Sequence, residues 1–482
     1  MRNMARALVT LTVTLTLSST FGVTACGVRN PSTGLGFPPQ NTDQSGEQPG
    51  NTADSNDQGD NPPSSHTQSP PSSQFEGLLD NPVVASLPAS HATSTVDGVK
   101  ATALPDVRLG AAPIWSSSGN TFAYASNAAT GGYIIGTLHP LLLARVQFGS
   151  GAHVVAISDK RVIVSTSSFT QDAFYPLYRN QTGIQFRTRQ TWKAATDAWQ
   201  HWVDTNGLPA VVTGGYKAGT LGLTLANRTT VKLGGGEVYL SPDRKFGAVA
   251  VRPREPRNVH PVGGEAVLTE HQPSDGTSPI ALWNFASPGG PKRLAVIHVP
   301  KIELPSQARP GLLQNVAFSP NDQYFAVLVQ GEYATGPKLF GQTFVYRTID
   351  GKLIGTAPYG SSAFWLPGAN GLWLGTPLPA GQGNNTIVGT DGQILSVWPE
   401  GHANFILAPE YNKVVMFSWS PRRQLEVARA IPYKAGTSLG QPGQGQVFTG
   451  LPTLVNPNGT TISPAGHAAI AEFSTTPVLL QW

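Results

Sequence analysis

The chain has 482 residues, more than one ordinary hydrophobic core serves. Charged residues make up 12% of it, against about 25% in typical proteins, while glycine (53 residues) and proline (41 residues) are abundant. This composition is typical of an all-β protein with many turns and does not favour a helical one. The net charge of +4 is too small to indicate a nucleic-acid-binding surface, so no nucleic-acid partner is predicted.

The first residues have the pattern of an export signal. Arg2 and Arg6 precede a short apolar run at 7–17, which is too short to span a membrane. The sequence Val23-Thr24-Ala25-Cys26 then resembles the lipobox of bacterial lipoproteins, in which the cysteine is acylated and becomes the new N-terminus. The resemblance predicts that residues 1–26 contain a lipoprotein signal peptide and that Cys26 carries the lipid. The alternative is an ordinary signal peptide with an incidental cysteine.

Residues 27–77 are dominated by proline, serine, glycine, asparagine, glutamine, threonine and aspartate. A segment of this composition cannot bury enough apolar surface to fold, so it is predicted to be a disordered tether. A flexible chain of about 50 residues has a root-mean-square reach of roughly 40 Å. We therefore expect the domain at 78–482 to stand clear of the outer face of the cell membrane, held by the lipid.

The body of the chain contains a recurring strand–turn–strand motif. The best copy is the sequence 316–328, in which Ser319-Pro320-Asn321-Asp322 separates two apolar runs. Proline sets the backbone for a turn, and serine and asparagine side chains bond nearby backbone groups. Further copies lie at 114–125, 239–251 and 462–471, and looser ones at 156–160, 365–370 and 407–412. A motif that recurs at roughly 40-residue spacing indicates a repeat architecture.

The repeats divide the body into units that each contain about four predicted strands. Their bounds are about 111–149, 152–191, 196–235, 237–299, 314–357, 361–398, 402–450 and 458–482. The last unit is one strand short, and we expect a run from 78–110, such as Val83-Val84 or 107–109, to complete it. Inner strands such as 325–329 are continuously apolar, as expected if neighbouring sheets cover both faces. The predicted fold is an all-β β-propeller of four-stranded antiparallel blades, with eight blades by count and seven as the alternative.

The pattern Ser-Pro-Asp/Asn-x-Lys/Gln-x-apolar-Ala at 241–248 and 319–326 resembles the WD40-like, TolB-type repeat of bacterial propellers. The resemblance implies a binding platform in most cases, although some such propellers are enzymes. The motif itself marks a turn and carries no chemistry.

The longest excursions from the repeats are 252–278, 301–313 and 331–341, which propeller topology places on one face. The first of these, the 252–278 insert, concentrates charge in a charge-poor protein. Its arginines predict an anionic partner, and neutral surface insertion is the alternative. The predicted binding residues are Arg252, Arg254, Arg257, His260, Glu265, Glu270 and His271.

Other patterns give weaker indications. The histidines and glutamates of the insert match no compact metal motif, so no metal site and no cofactor are predicted. The sequence 436–440 fits the nucleophile-elbow pattern without its strand–helix context, so no catalytic residue is assigned. Trp192, Trp199 and Trp202 are candidates for a carbohydrate platform, whereas core positions are predicted for three other tryptophans. These are Trp115, Trp365 and Trp419.

Together these features predict a monomeric, membrane-anchored surface lipoprotein whose propeller binds a protein or a cell-envelope polymer without catalysis. One alternative is an extracytoplasmic hydrolase or lyase that acts on glycans at the channel mouth. Another is a propeller that carries a solute or a metal.

Overall fold

In a computed structural model of the protein, the described residues lie between 77 and 482. They comprise 77–88, 91–105, 112–127, 132–165, 172–181, 183–192, 200–203, 209–213, 222–224, 230–233, 237–250, 279–302, 308–333, 339–358, 362–375, 384–399, 406–410, 413–418, 423–429, 432–433, 445–455, 457–474 and 476–482. The signal segment, Cys26 and the tether up to residue 76 therefore lie outside the described residues. No helix among the described residues is long and apolar enough to cross a membrane.

The regular structure of the described residues consists of β-strands, which confirms the all-β class. In the first half of the chain the strands are β1 (Leu78–Ser86), β2 (Thr93–Val96), β3 (Val99–Ala103), β4 (Ile114–Trp115), β5 (Thr121–Asn127), β6 (Gly132–Leu138), β7 (Leu141–Gly149), β8 (His153–Ser158), β9 (Arg161–Ser165), β10 (Asp172–Asn180), β11 (Gly183–Phe186), β12 (Gln190–Trp192), β13 (Gln200–Val203), β14 (Pro209–Thr213), β15 (Gly222–Thr224), β16 (Thr230–Lys232), β17 (Glu237–Leu240) and β18 (Phe246–Ala250). In the second half they are β19 (Ile280–Asn284), β20 (Lys292–Ile297), β21 (Ala308–Phe318), β22 (Tyr324–Tyr333), β23 (Leu339–Arg347), β24 (Leu353–Pro358), β25 (Ser362–Trp365), β26 (Leu372–Gly375), β27 (Asn384–Val388), β28 (Ile394–Pro399), β29 (Ile406–Glu410), β30 (Lys413–Ser418), β31 (Gln424–Arg429), β32 (Gln446–Val447), β33 (Pro457–Ile462), β34 (Ala468–Phe473) and β35 (Val478–Gln481).

These strands pair antiparallel in eight sheets that follow one another along the chain. Most sheets are simple meanders, in which each strand pairs with the next in sequence, as short connections favour. The strand orders of sheets 1 to 8 are β1-β7-β6-β5-β4, β11-β10-β9-β8 with β12 on β10, β13-β14-β15-β16, β17-β18-β19-β20, β21-β22-β23-β24, β25-β26-β27-β28, β29-β30-β31-β32 and β2-β3-β35-β34-β33.

Sheet 8 contains strands from both sides of the body. β3 pairs with β35, with Ala101 opposite Leu480, so residues from the N-terminal side complete the last sheet as expected. β3 is not one of the two runs that the sequence suggested for this role. Val83-Val84 lies in β1 and pairs with β7 of sheet 1. β1 thereby covers an edge that would otherwise expose unpaired backbone groups. The run at 107–109 lies outside the described residues.

Apolar clusters join consecutive sheets. One cluster packs sheet 1 on sheet 2, and separate ones join sheets 3 and 4, 4 and 5, 5 and 6, 6 and 7, and 7 and 8. A further cluster places Trp115 and Phe122 of sheet 1 against Ile470 and Leu479 of sheet 8. β8 of sheet 2 lies next to β13 of sheet 3. The sheets thus follow a circular order, in which the last packs on the first, and this is the arrangement of a β-propeller.

The edge strand that begins each repeat lies next to the corresponding strand of the neighbouring sheet, as β4 does with β8 and β21 with β25. Two buried tryptophans connect them, which confirms the predicted core positions of Trp115 and Trp365, both 3% exposed. Trp115 Nε1 donates to the carbonyl of Thr461 at 3.3 Å, and Trp365 Nε1 donates to that of Ala317 at 2.8 Å. Each bond joins the edge strand that begins one repeat to the edge strand that begins the preceding repeat, β4 to β33 and β25 to β21. Trp419 lies outside the described residues.

Two of the predicted excursions are shorter than expected. β21 begins at Ala308, so only part of 301–313 connects sheets 4 and 5. β22 continues to Tyr333 and β23 begins at Leu339, so most of 331–341 is paired strand. The register of β21 and β22 shifts between Arg309 and Leu312, and these irregularities absorb residues that the repeat spacing alone assigned to loops.

Candidate functional site

The turns of the sheets divide between two ends of the fold. In a meander, connections alternate between the two ends of the sheet, so the first and third turns of a sheet share one end. We call this the turn end, and the opposite end, with the second turn and the links between sheets, the loop end. The 252–278 insert lies in the second connection of sheet 4, between β18 and β19, and so belongs to the loop end.

At the turn end, the serine of the repeat motif closes four turns with the same bond. Its Oγ accepts a hydrogen bond from the backbone N–H five residues later, at 3.0 Å in both Ser116 and Ser319. The corresponding distances are 3.1 Å for Ser241 and 3.3 Å for Ser463. In Ser319 the hydroxyl also donates to Asn321 Oδ1, which accepts from the N–H of Gln323. The recurring residues of the motif are therefore explained by turn closure.

The fourth residue of each motif turn has a left-handed backbone. The positions are Gly119 (φ 73°), Arg244 (φ 66°), Asp322 (φ 57°), Ala369 (φ 54°) and Gly466 (φ 72°). Only two of them are glycine, so at the others the turn bonds offset the steric cost of this conformation.

Turns from distant sheets meet at the turn end. A Cβ added to Gly466 of sheet 8 would overlap the carbonyl oxygen of Pro367 in sheet 6 and lie 3.2 Å from Pro320 Cβ in sheet 5. A Cβ added to Gly119 of sheet 1 would lie 3.0 Å from the backbone nitrogen of Ala465 in sheet 8. The turns of sheets 1, 5, 6 and 8 thus form one packed group.

Within this end, a carboxyl pair joins the turns of sheets 4 and 5. Asp243 is 9% exposed and accepts hydrogen bonds from Ser241 Oγ at 3.0 Å and from the N–H of Lys245 at 2.9 Å. The Lys245 ammonium also forms an ion pair with it. Asp322 hydrogen-bonds Asp243 across the sheet boundary. Oδ1 of Asp322 is buried and has no hydrogen-bond partner among the described residues.

The two carboxyls differ in their protonation. Burial and the neighbouring Asp243 raise the pKa of Asp322 to about 9, whereas hydrogen bonds from Asp322 and Lys245 outweigh burial and lower the pKa of Asp243. At neutral pH, Asp322 is therefore the protonated partner and donates to ionised Asp243. Burial also lowers the pKa of the adjacent Arg244 to about 10. The pair holds one proton between two sheets.

The sequence did not indicate this pair, since Asp243 and Asp322 lie in different repeats and no paired-carboxylate spacing stood out. The available signal was positional: both side chains come from copies of the same turn motif, and neighbouring copies lie side by side. No group of three or more metal-ligating side chains occurs among the described residues.

The predicted binding residues lie outside the part of the chain that the structure describes. Arg252, Arg254, Arg257, His260, Glu265, Glu270 and His271 all fall between the end of β18 at Ala250 and the start of β19 at Ile280. Trp199 and residues 436–440 also lie outside the described residues. Trp192 ends β12 and Trp202 lies in β13, so the backbone places these two tryptophans in strands of sheets 2 and 3.

Several solved β-propellers resemble the chain. The BamB structure from Moraxella catarrhalis is 10% identical, with a TM-score of 0.41, and covers 79% of this chain and 98% of its own. Hsv2 of Kluyveromyces lactis is 10% identical, with a TM-score of 0.37, and covers 69% and 98%. An oligogalacturonate lyase in complex with manganese is 11% identical, with a TM-score of 0.33, and covers 82% and 97%.

No protein-family model and no curated protein matches the chain. At these identities and TM-scores, the similar structures assign no activity to it.

Proposed function

We propose that the protein is a lipid-anchored, extracytoplasmic β-propeller of eight blades that binds a protein or an anionic cell-envelope polymer without catalysis. Five of the eight sheets have the four strands expected of a blade, and sheets 1, 2 and 8 have five. The single observation that supports this function best is the difference between the two ends of the fold. At the turn end, turns of sheets 1, 5, 6 and 8 pack on one another. The loop end carries the longest excursion of the body, between β18 and β19.

A rigid framework that carries a long, charged connection is a common design for recognition, because the framework limits the entropy lost on binding. The 252–278 insert contains Arg252, Arg254 and Arg257 in a protein with few charges. Guanidinium groups pair with carboxylates and phosphates in bidentate geometry, so an anionic polymer or an acidic protein surface is the partner that fits.

The sheet order supports the proposed blade count. Sheets 7 and 8 are separate, and β3 and β2 supply the outer strands of sheet 8. Eight blades are therefore favoured over seven. A single polypeptide whose last sheet uses strands from both sides of the body forms its ring without a second copy, which supports a monomer.

The binding test replaces Arg252, Arg254 and Arg257 together by glutamine in the full chain. The matched control removes three positive charges from exposed positions in sheets 4 and 5, at Lys292 and Arg293 in β20 and at Lys352 just before β24. Two probes are used, a purified anionic wall polymer and peptidoglycan stripped of it. We expect the insert variant to lose at least about tenfold in affinity for the anionic wall polymer, whereas the affinity of the control variant should change little. Equal binding by both variants contradicts the site.

The anchor is tested separately by replacing Cys26 with serine. We expect the full chain to move from the membrane fraction to the soluble fraction and to lose incorporation of labelled palmitate. Retention of the label in the Cys26→Ser variant contradicts the assignment of the lipid.

The second candidate function is a glycan hydrolase or lyase. The observation that favours it is the carboxyl pair, because two carboxyls with pKa values moved in opposite directions are suited to general acid–base catalysis. If the pair is catalytic, the Asp322→Asn and Asp243→Asn variants each lose turnover of envelope glycans by about 100-fold or more while remaining folded. Wild-type protein with no turnover of these glycans excludes it.

A further inference from the structure

Two histidines face each other across the boundary between sheet 1 and sheet 8. His467 follows Gly466 in the motif turn of sheet 8, and His139 lies in the turn between β6 and β7. Their ring centroids are 5.8 Å apart, with an interplanar angle of 33°. The two side chains come from opposite sides of the interface at which the circular order of the sheets closes.

One nitrogen of His467 is available as a ligand. The ring hydrogen-bonds the backbone of Ala465, and a backbone carbonyl can only accept, so one ring nitrogen carries the hydrogen. Nε2 is buried and has no hydrogen-bond partner. Donation to Ala465 therefore comes from Nδ1, which leaves the lone pair of Nε2 unused. This is the tautomer that metal-binding histidines adopt when a backbone carbonyl orients them.

The turn that carries His467 is held in place from both sides. Trp482 Nε1 donates to the carbonyl of Gly466 at 2.7 Å, and the N–H of Trp482 donates to the carbonyl of His467 at 3.2 Å. The crowding of Gly466 by Pro367 also limits movement of the turn. A ligand fixed by such contacts loses little freedom when it binds an ion.

The separation of the rings fits a single shared ion. A metal–nitrogen bond of about 2.0–2.1 Å places the ion roughly 3.2 Å from the ring centroid, so two rings on one ion lie at most roughly 6.4 Å apart. The observed 5.8 Å lies inside this limit. His139 is exposed, so its ring is free to turn a nitrogen towards the ion, and the remaining coordination positions are open to water or to another molecule.

We propose that His139 and His467 bind a divalent late transition-metal ion, of the class of Cu²⁺, Ni²⁺ or Zn²⁺, between sheets 1 and 8. Imidazole nitrogen is a preferred ligand of these ions, whereas Mg²⁺ and Ca²⁺ select oxygen. The site is separate from the 252–278 insert and does not depend on what the loop end binds. An ion held there would join the two sheets at which the ring closes.

The test uses the full chain purified without a histidine tag, with Cu²⁺, Ni²⁺ and Zn²⁺ salts as the probes. His139→Gln and His467→Gln are compared with His298→Gln, which changes an exposed histidine after β20. Calorimetric titration counts the sites, and electron paramagnetic resonance of the Cu²⁺ form reports how many nitrogens are bound. Because Cys26 and the histidines of the insert are present in every variant, differences between variants report the site alone.

We expect the wild type and His298→Gln to show a Cu²⁺ signal with two nitrogen ligands and a thermal midpoint that rises with metal, since the ion binds the folded state. His139→Gln and His467→Gln should each lose one coupled nitrogen and at least about tenfold in affinity. Their midpoints without metal check that they fold. If both variants keep the wild-type affinity and nitrogen count, the site is overturned.

Discussion

The connections at the two ends of the sheets differ in regularity. At the turn end, copies of one motif make the same bonds, and turns from sheets 1, 5, 6 and 8 pack against one another. At the loop end, the second connections of the sheets differ in length, and the one in sheet 4 is far longer than that of sheet 1. Shared bonds stabilise the turn end, whereas the connections at the loop end vary in length, as the proposed binding role requires. Substitutions should therefore affect stability at the turn end and binding at the loop end.

The largest expected effect comes from Gly466→Ala. The added methyl group would combine a left-handed backbone (φ 72°) with overlap on Pro367, so we expect a loss of about 3 kcal/mol or more in the free energy of unfolding. The control is Gly98→Ala, which has a similar backbone (φ 82°) and no atom near the new group. Its expected cost is about 1 kcal/mol. Chemical denaturation measures both, and equal costs would show that the packed turns add nothing.

The carboxyl pair predicts a dependence on pH. The pKa of Asp322 is raised to about 9 in the folded protein from an ordinary value of 3.8, so the folded state retains a proton that the unfolded state releases. This residue therefore lowers the free energy of unfolding as pH rises from about 4 to about 9, by at most about 1.4 kcal/mol per pH unit. Asp322→Asn should therefore be more stable than the wild type at pH 8, with the difference shrinking towards pH 4.

Asp243→Asn provides the contrast for the pH measurement. Because the pKa of Asp243 is lowered in the folded protein, its ionised form stabilises the fold at pH values above the ordinary pKa of aspartate. This stabilisation is lost as the pH falls through the lowered pKa of the folded state. This variant should accordingly lose stability at neutral pH, where Asp322→Asn gains it. Denaturation curves at several pH values measure the free energy of unfolding of both variants. If this free energy depends on pH in the same way in the wild type and in Asp322→Asn, the protonation assigned to the pair is contradicted.

A smaller effect is expected for Ser319→Ala. The substitution removes the acceptor of the Tyr324 N–H and the donor to Asn321, at a fully buried position, so the expected cost is about 1–2 kcal/mol. Ser150→Ala, at an exposed turn between sheets 1 and 2, should stay within about 0.5 kcal/mol. A similar cost at both serines would mean that the motif hydroxyl does not hold the turn.

The smallest effect on stability belongs to the loop end. Replacing Arg252, Arg254 and Arg257 by glutamine should change the free energy of unfolding by less than about 0.5 kcal/mol, in contrast to its expected effect on binding. Thermal unfolding of the same sample used for the binding assay tests this. A clear loss of stability would mean that the insert is part of the framework.

The strand–turn–strand motif could be recognised in the sequence because its best copies contain the residues that cause it: a serine that closes the turn and strand-forming residues on both sides. That local information was sufficient to predict the paired strands around Ser319 and the buried Trp115 and Trp365. It was not sufficient to predict that Val83 pairs with β7, because the competition between two free sheet edges is decided by the assembled ring. The contact of Asp243 with Asp322 also depends on how two turns are placed side by side, which spacing along the chain does not contain.

The site at the loop end was predicted from charge and length alone, and its residues lie outside the described part of the chain. The two histidines at the turn end, in contrast, were found from the structure and not from the sequence. His139 and His467 are unremarkable in the sequence, since they lie far apart in it, and only the closing of the ring brings their rings to 5.8 Å.

The order of the first strands has a mechanical consequence. β1 pairs along β7 and precedes β3, which completes sheet 8 against β35. Tension applied through the N-terminal residues would reach β1 before it reached β3. We therefore expect β1 to separate from β7 before the load reaches the β3–β35 pairing of sheet 8.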